Sequence, residues 1–180
     1  MIELDDVTLN RGSRCILCGL SLDIRPGEVT VILGPNGSGK STLLNALAGT
    51  MPFTGAVRLN GHDVARSSPA RLADERAVLP QHCEIAFPFR VADVVALGAR
   101  GVIAGNMRAL ALRVDDLLAR VGLAGFGSRN ACALSGGEAQ RMHLARVLLQ
   151  AETATGSPAW LFLDEPVSSL DLAHQLAVMD

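Results

Sequence analysis

The chain has 180 residues, 49% of them hydrophobic, and 16 basic against 18 acidic residues give a net charge of −2. A length of this order suits one domain with a sizeable core, whereas the charge balance and the scarcity of aromatics (one Trp, five Phe, no Tyr) exclude the basic, base-stacking surface that nucleic acid needs. The acidic opening "MIELDD" is unlike a secretory signal, and no apolar run reaches the ~18 residues of a membrane span, so a cytosolic setting is expected.

Residues 2–9, "IELDDVTL", and 20–24, "LSLDI", alternate apolar and polar side chains, as strands with one exposed face do. Between them Cys15 and Cys18 form a lone C-x-x-C, while Cys83 and Cys132 are isolated and supply no second metal-ligand pair. Reduced structural thiols are expected in a chain without a secretion signal; a metal or redox role is the alternative. "RPGE" (25–28) predicts a turn, and the β-branched run "EVTVILG" (28–34) a buried strand. "STLLNALAG" predicts a short helix stopped by Gly49, and "GAVRLNG" (55–61) a short strand. "SPARLADE" reads as a capped helix with Pro69 in its first turn, followed by "RAVLPQ", a strand that Pro80 ends.

From about Phe87 to Gln150 the period becomes helical. "VADVVALGAR" and "MRALALRVDDLLARVGL" carry apolar residues at three- and four-residue spacing, with Gly122 near the end of the second. "LSGGEAQRMHLARVLLQ" starts a further helix at Ser135, a natural N-cap. After the polar loop "AETATGSP", "AWLFLDEP" (159–166) predicts a buried strand that ends in two carboxylates.

Two of these junctions carry chemistry. Gly34, Pro35, Asn36, Gly37, Ser38, Gly39, Lys40, Ser41 and Thr42 follow a predicted strand, open a predicted helix and match G-x-x-x-x-G-K-[ST]. Successive N–H groups of such a loop make an anion nest at a helix N-terminus. Lys40 is the only lysine, the other fifteen basic residues all being arginine. A compact ammonium reaches between β- and γ-phosphates where a flat guanidinium fits poorly, and Ser41 can offer its hydroxyl to Mg²⁺. Asp164 and Glu165 emerge at the carboxyl end of a strand, where ligands gather in open α/β sheets. One carboxylate there can hold Mg²⁺ through its water shell, and its neighbour can orient and polarise an attacking water.

In this order and spacing the residues resemble the ATP-binding subunit of ABC transporters. "LSGGE" (134–138) is similar to that family's signature sequence, "SSLD" (168–171) to its D-loop, and Gln81 in "LPQ" to its Q-loop glutamine; the likeness extends over essentially all 180 residues. It implies an α/β P-loop NTPase core of the ABC type, with an antiparallel β section and an inserted helical subdomain. Residues 1–86 and 159–180 would form the nucleotide-binding core, and 87–158 the signature subdomain with its return loop. ATP and Mg²⁺ are the implied cofactors. Gly34 to Thr42 would hold the triphosphate, Ser41, Gln81 and Asp164 would surround Mg²⁺, and Glu165 would be the catalytic carboxylate, with Gln81 and Lys40 beside the reacting phosphate. Ser135, Gly136, Gly137 and Glu138 would cover the γ-phosphate held by a second copy packed head to tail, and Asp171 would link the two sites across that dimer. The implied partners are the second nucleotide-binding subunit, integral membrane permease subunits and, indirectly, a substrate-binding protein. The implied location is peripheral, on the cytoplasmic side of the inner membrane.

Departures from the family pattern matter as well. Arg11 stands where an adenine-stacking aromatic is expected; its guanidinium plane can stack on a base instead. Val167, Ser168 and Ser169 vary the usual "TSA", and His174, expected on the surface of the helix after the D-loop, does not match the family's switch histidine. That histidine and a strand between 28–34 and 159–163 are expected beyond Asp180. The resemblance is therefore to a member lacking its C-terminal part, expected to fold poorly and hydrolyse no ATP as 180 residues alone.

"RAVLPQH" followed by "FPFRVADVV", then "LARVLLQ" and "LDLAHQ", resemble the heme-import ATPases of the iron-siderophore and cobalamin importer group. The implied function is the ATP-hydrolysing subunit that energises heme import, with siderophore or cobalamin import as alternatives. "FPF" (87–89) suits a docking patch for a permease, or equally packing between core and helical subdomain. A non-transport ABC ATPase is the competing class, but the chain carries no coiled-coil or metal-binding insert. A P-loop kinase or GTPase is opposed by the "LSGGE" helix and the lack of an N-K-x-D string. A non-catalytic structural fragment is the remaining alternative.

Overall fold

The computed structural model describes residues 1–83, 85–154 and 159–166. Strands β1 (Ile2–Arg11) and β2 (Arg14–Ile24) precede helix α1 (Lys40–Leu47), followed by β3 (Thr54–Leu59), β4 (His62–Asp63), α2 (Pro69–Glu75) and β5 (Arg76–Leu79). Helices α3 (Val91–Ala96), α4 (Gly101–Ala104), α5 (Met107–Arg120) and α6 (Gly136–Thr153) come next, and β6 (Trp160–Leu163) closes the described chain. The first four strands form an antiparallel sheet in the order β2-β1-β3-β4, and β5 pairs with β6 in parallel.

Local chemistry sets the helix ends. Ser68 caps α2 by accepting from the Arg71 N–H, with Pro69 at the first position. Gly49 closes α1 at φ 70°: its N–H donates to Ala46 O and that of Thr50 to Asn45 O, the paired bonds of a Schellman ending. The same pair of bonds recurs after α5, from Gly122 to Ala119 and from Leu123 to Leu118.

Two buried clusters flank the parallel pair. Val7 and Leu9 of β1, Val57 and Leu59 of β3, and Leu43, Ala46 and Leu47 of α1 pack with Trp160 and Phe162 of β6. Ala77 and Leu79 of β5 pack instead with α3, α5 and α6, while the intervening Val78 faces the first cluster. The strand's period of two thus joins the clusters. Trp160 Nε1 donates to Asn60 Oδ1 at 3.0 Å, fastening β6 to the β3–β4 turn. Among the described residues no helix is long and apolar enough to cross a membrane.

Two expectations need correction. Residues 28–34 lie in no ladder: Val29, Val31 and Leu33 are 94%, 69% and 86% exposed, and Ile32 packs on the first cluster. A strand is defined by its neighbour, and no described element pairs with this run. The second concerns the cysteines: Cys15 and Cys18 form a disulfide, while Cys83 and Cys132 are free and exposed. β2 starts at Arg14, six residues before the alternation predicted, and its register slips between Leu9↔Leu17 and Asn10↔Cys15 and again before Val7↔Leu20. These bulges draw the Cys15 and Cys18 Cα atoms to 6.4 Å. Three residues of regular strand would span about 10 Å.

Candidate nucleotide site

The glycine-rich loop enters α1 through Gly39, whose φ of 97° belongs to the region that favours glycine. A Cβ there would stand 2.6 Å from Ile16 Cγ2 of β2, so the loop rests against the segment enclosed by the disulfide. No side chain caps α1 and its first turn holds no acidic residue, which leaves the helix N-terminus open to an anion. Lys40 Nζ donates to the carbonyls of Gly34 (2.9 Å) and Pro35 (3.0 Å), so the cation lies folded over its own loop. Ser38 N–H donates to Pro35 O at 3.2 Å, tightening the turn around Asn36 and Gly37. Ser41 and Thr42 occupy the first turn of α1, half-buried.

The second half of the site lies at the end of the parallel pair. Asp164 N–H donates to Leu79 O at 2.9 Å, extending the ladder one residue beyond β6 and fixing where the two carboxylates begin. Glu165 then turns to φ 49°, a conformation uncommon for a long side chain. Gln81 Nε2 donates to Glu165 Oε2 at 2.8 Å, joining residues 84 apart in sequence. Gln140 Nε2, from α6, donates to the Glu165 main-chain oxygen at 3.2 Å.

α6 begins with a capping box: Ser135 Oγ accepts from Glu138 N–H, and Glu138 Oε2 accepts from Ser135 N–H at 2.7 Å. The Ser135 N–H, then its hydroxyl, with the charges of Arg129 and Arg141, hold the Glu138 carboxyl below its ordinary range. A Cβ on Gly136 would meet nothing, so this helix start is open on its outer side. Further along α6, Arg146 Nη2 donates to Val78 O, and Gln150 Nε2 donates to Ala73 O and Arg76 O. His143 is buried among them at 4% exposure. Burial first, then the Arg146 charge, lowers its pKa.

The structure therefore brings Gln81, Glu165 and the signature helix together, and it sets α1 and β6 on one core. Arg11 is exposed at the β1–β2 turn. Asp171, with Val167, Ser168, Ser169 and His174, lies outside the described residues. The hydroxyl of Ser41, the amide oxygen of Gln81 and the carboxylate of Asp164 are the hard oxygen donors Mg²⁺ takes. No cluster of three His, Cys, Asp or Glu side chains able to hold a metal occurs among the described residues, so this donor set fits an ion shared with phosphates and water. Phe87 and Phe89 are 67% and 49% exposed with their rings edge to face, while Ala131 N–H donates to Phe89 O. Sequence reasoning missed Gln140; the available signal was a glutamine three residues before His143 and four before Leu144, at the spacing of the helix face that runs into the core.

Comparison with known proteins places these features in a wider group. A family model described as ABC transporter matches residues 17–168. Hemin import ATP-binding proteins of Jannaschia sp. (strain CCS1) and Mesorhizobium japonicum are each 50% identical to the chain; the matches cover all of it and 66% and 70% of theirs. The chain thus spans about two thirds of the length of these relatives. Among solved structures, the ATP-binding cassette MJ0796, in a dimeric post-hydrolysis state bound to ADP and Pi, superposes with a TM-score of 0.82 at 26% identity; the match covers 99% of this chain and 80% of that one. A bacterial Atm1-family ABC exporter with ATP bound gives 0.81 at 27% identity, covering 99% of this chain and 31% of that one.

Proposed function

The chain belongs to the ABC transporter family, and on that premise we propose that it is the ATP-binding and ATP-hydrolysing subunit of an importer whose cargo is hemin. One observation carries the enzymatic part: the 2.8 Å bond from Gln81 to Glu165, which holds the carboxylate at the strand end by a glutamine amide. In this reading residues 1–86 and 159–180 are the nucleotide-binding core and 87–158 the signature subdomain. The loop N–H groups of Gly34 to Gly39 and the Lys40 ammonium bind the phosphates, releasing Lys40 from the loop carbonyls it now covers. Ser41, Gln81 and Asp164 would hold Mg²⁺, which would supply charge neutralisation to the phosphates. Glu165 orients the attacking water and accepts its proton, and the Gln81 amide fixes which carboxylate oxygen faces the water. Arg11 stacks on the adenine.

The open start of α6 at Ser135–Gly137 covers the phosphate held by a second copy, and Asp171 joins the two sites. Exposed Phe87 and Phe89 suit a membrane permease subunit as their partner. That arrangement puts the protein on the cytoplasmic side of the inner membrane, peripherally, with a substrate-binding protein as an indirect partner. The cargo rests on the two relatives named for hemin import at 50% identity. Deleting the gene and supplying iron only as hemin tests it: growth should fail on hemin and persist on a ferric siderophore. The opposite pattern would move the assignment to siderophore import.

A further inference from the structure

We propose that Gln140 is a positioning residue that acts through Glu165, setting the main chain of the carboxylate from the helix that carries the signature sequence. The inference rests on the catalytic reading of Glu165 given above. A glutamate at φ 49° occupies a sparsely populated backbone region and stays there only if its surroundings determine it. Two described contacts do so from opposite ends of the residue. Gln81 holds the side-chain oxygen Oε2, and Gln140 holds the main-chain oxygen. The first fixes where the carboxylate points, and the second fixes the peptide from which it springs.

Gln140 is itself well anchored. Further along α6, Arg146 and Gln150 fasten the helix to main-chain oxygens of Val78, Ala73 and Arg76, so it is registered against β5. Gln140 is the contact of this seam nearest the helix start, about one turn beyond Gly136. A displacement at the Ser135–Gly137 end is thereby linked to the Glu165 peptide through the Gln140 side chain. Gln140 touches neither the reacting phosphate nor the water in this scheme. Its effect is on the geometry of the group that does, where an error of about 1 Å can cost on the order of a hundredfold in rate.

The test uses the full-length protein with Mg-ATP and compares Gln140→Met, which keeps the side-chain length but removes the amide donor, with Gln140→Ala. Both should lower kcat about tenfold or more while KM for ATP changes less than twofold. Placed in a Glu165→Gln background, Gln140→Met should leave ATP-dependent dimerisation intact, a readout that general damage to α6 would lose. If Gln140→Ala melts low, the methionine variant carries the comparison. Unchanged kcat in Gln140→Met, with Glu165→Gln inactive, overturns this inference alone, as does loss of the ATP-dependent dimer. Turnover retained by Glu165→Gln would instead remove the catalytic reading and the inference with it.

Discussion

Gly39→Ala perturbs the loop at the residue that delivers Lys40. At φ 97° an added Cβ enters a region unfavourable to L side chains by about 1–2 kcal/mol. The same Cβ would lie 2.6 Å from Ile16 Cγ2. Because that atom is the tip of a side chain, a shift of its rotamer relieves the contact at about 0.5–1.5 kcal/mol. Alanine also narrows the unfolded ensemble, offsetting about 0.4–1 kcal/mol. The net loss is about 0.5–3 kcal/mol, which for a chain of this size lowers Tm by about 1–12 °C. Thermal melts of Gly39→Ala, Ile16→Ala and the double variant in the full-length protein separate the parts. The double variant should recover the contact but not the backbone term, and both Gly39 variants should bind ATP more weakly because the N–H nest is turned. A Gly39→Ala protein with unchanged Tm and unchanged affinity would refute the left-handed entry to α1.

Lys40→Ala removes the one ammonium of the loop; at about 1.5–3 kcal/mol per charge-assisted bond, ATP affinity should fall roughly 10- to 150-fold. Titration with a fluorescent ATP analogue measures it, and an unchanged Kd would contradict the phosphate assignment. His143→Leu should flatten the acid side of the stability profile. Burial and the Arg146 charge lower the folded pKa, so the unfolded chain takes up the proton first and stability declines as pH falls through about 6.5 towards the folded pKa. The slope is at most about 1.4 kcal/mol per pH unit. Urea melts between pH 7.5 and 5.5 should show a smaller decline in the variant than in the parent, and equal declines would count against a neutral buried imidazole.

Features fixed within a few residues were legible in the sequence. The Ser135 cap, the Ser68 cap before Pro69 and the glycine endings of α1 and α5 are local arrangements of side chain and backbone, and each stands where its residues predicted. The glycine-rich entry to α1 and the acidic end of β6 were equally visible, because glycine spacing and a hydrophobic run are local signals too. What depended on distant partners was not. Residues 28–34 have the composition of a strand, but composition does not supply a neighbour to pair with. Bulges in β2 arise from its register on β1, so the spacing of Cys15 and Cys18 gave no warning that their Cα atoms approach. The bonds of Gln81 and Gln140 to Glu165 span 84 and 25 residues. Only the fold reveals that one glutamate is held both at its carboxylate and at its main-chain oxygen.

The account turns on Glu165 being the group that activates water while the phosphate loop and a second copy's signature helix hold ATP. Size-exclusion chromatography of the full-length Glu165→Gln variant in saturating Mg-ATP, with phosphate release measured on the same sample, tests this directly. The account predicts a stable dimer with no turnover, since the amide keeps the shape of the carboxylate but cannot take the proton. A monomer under those conditions, or turnover at the parent rate, would contradict it.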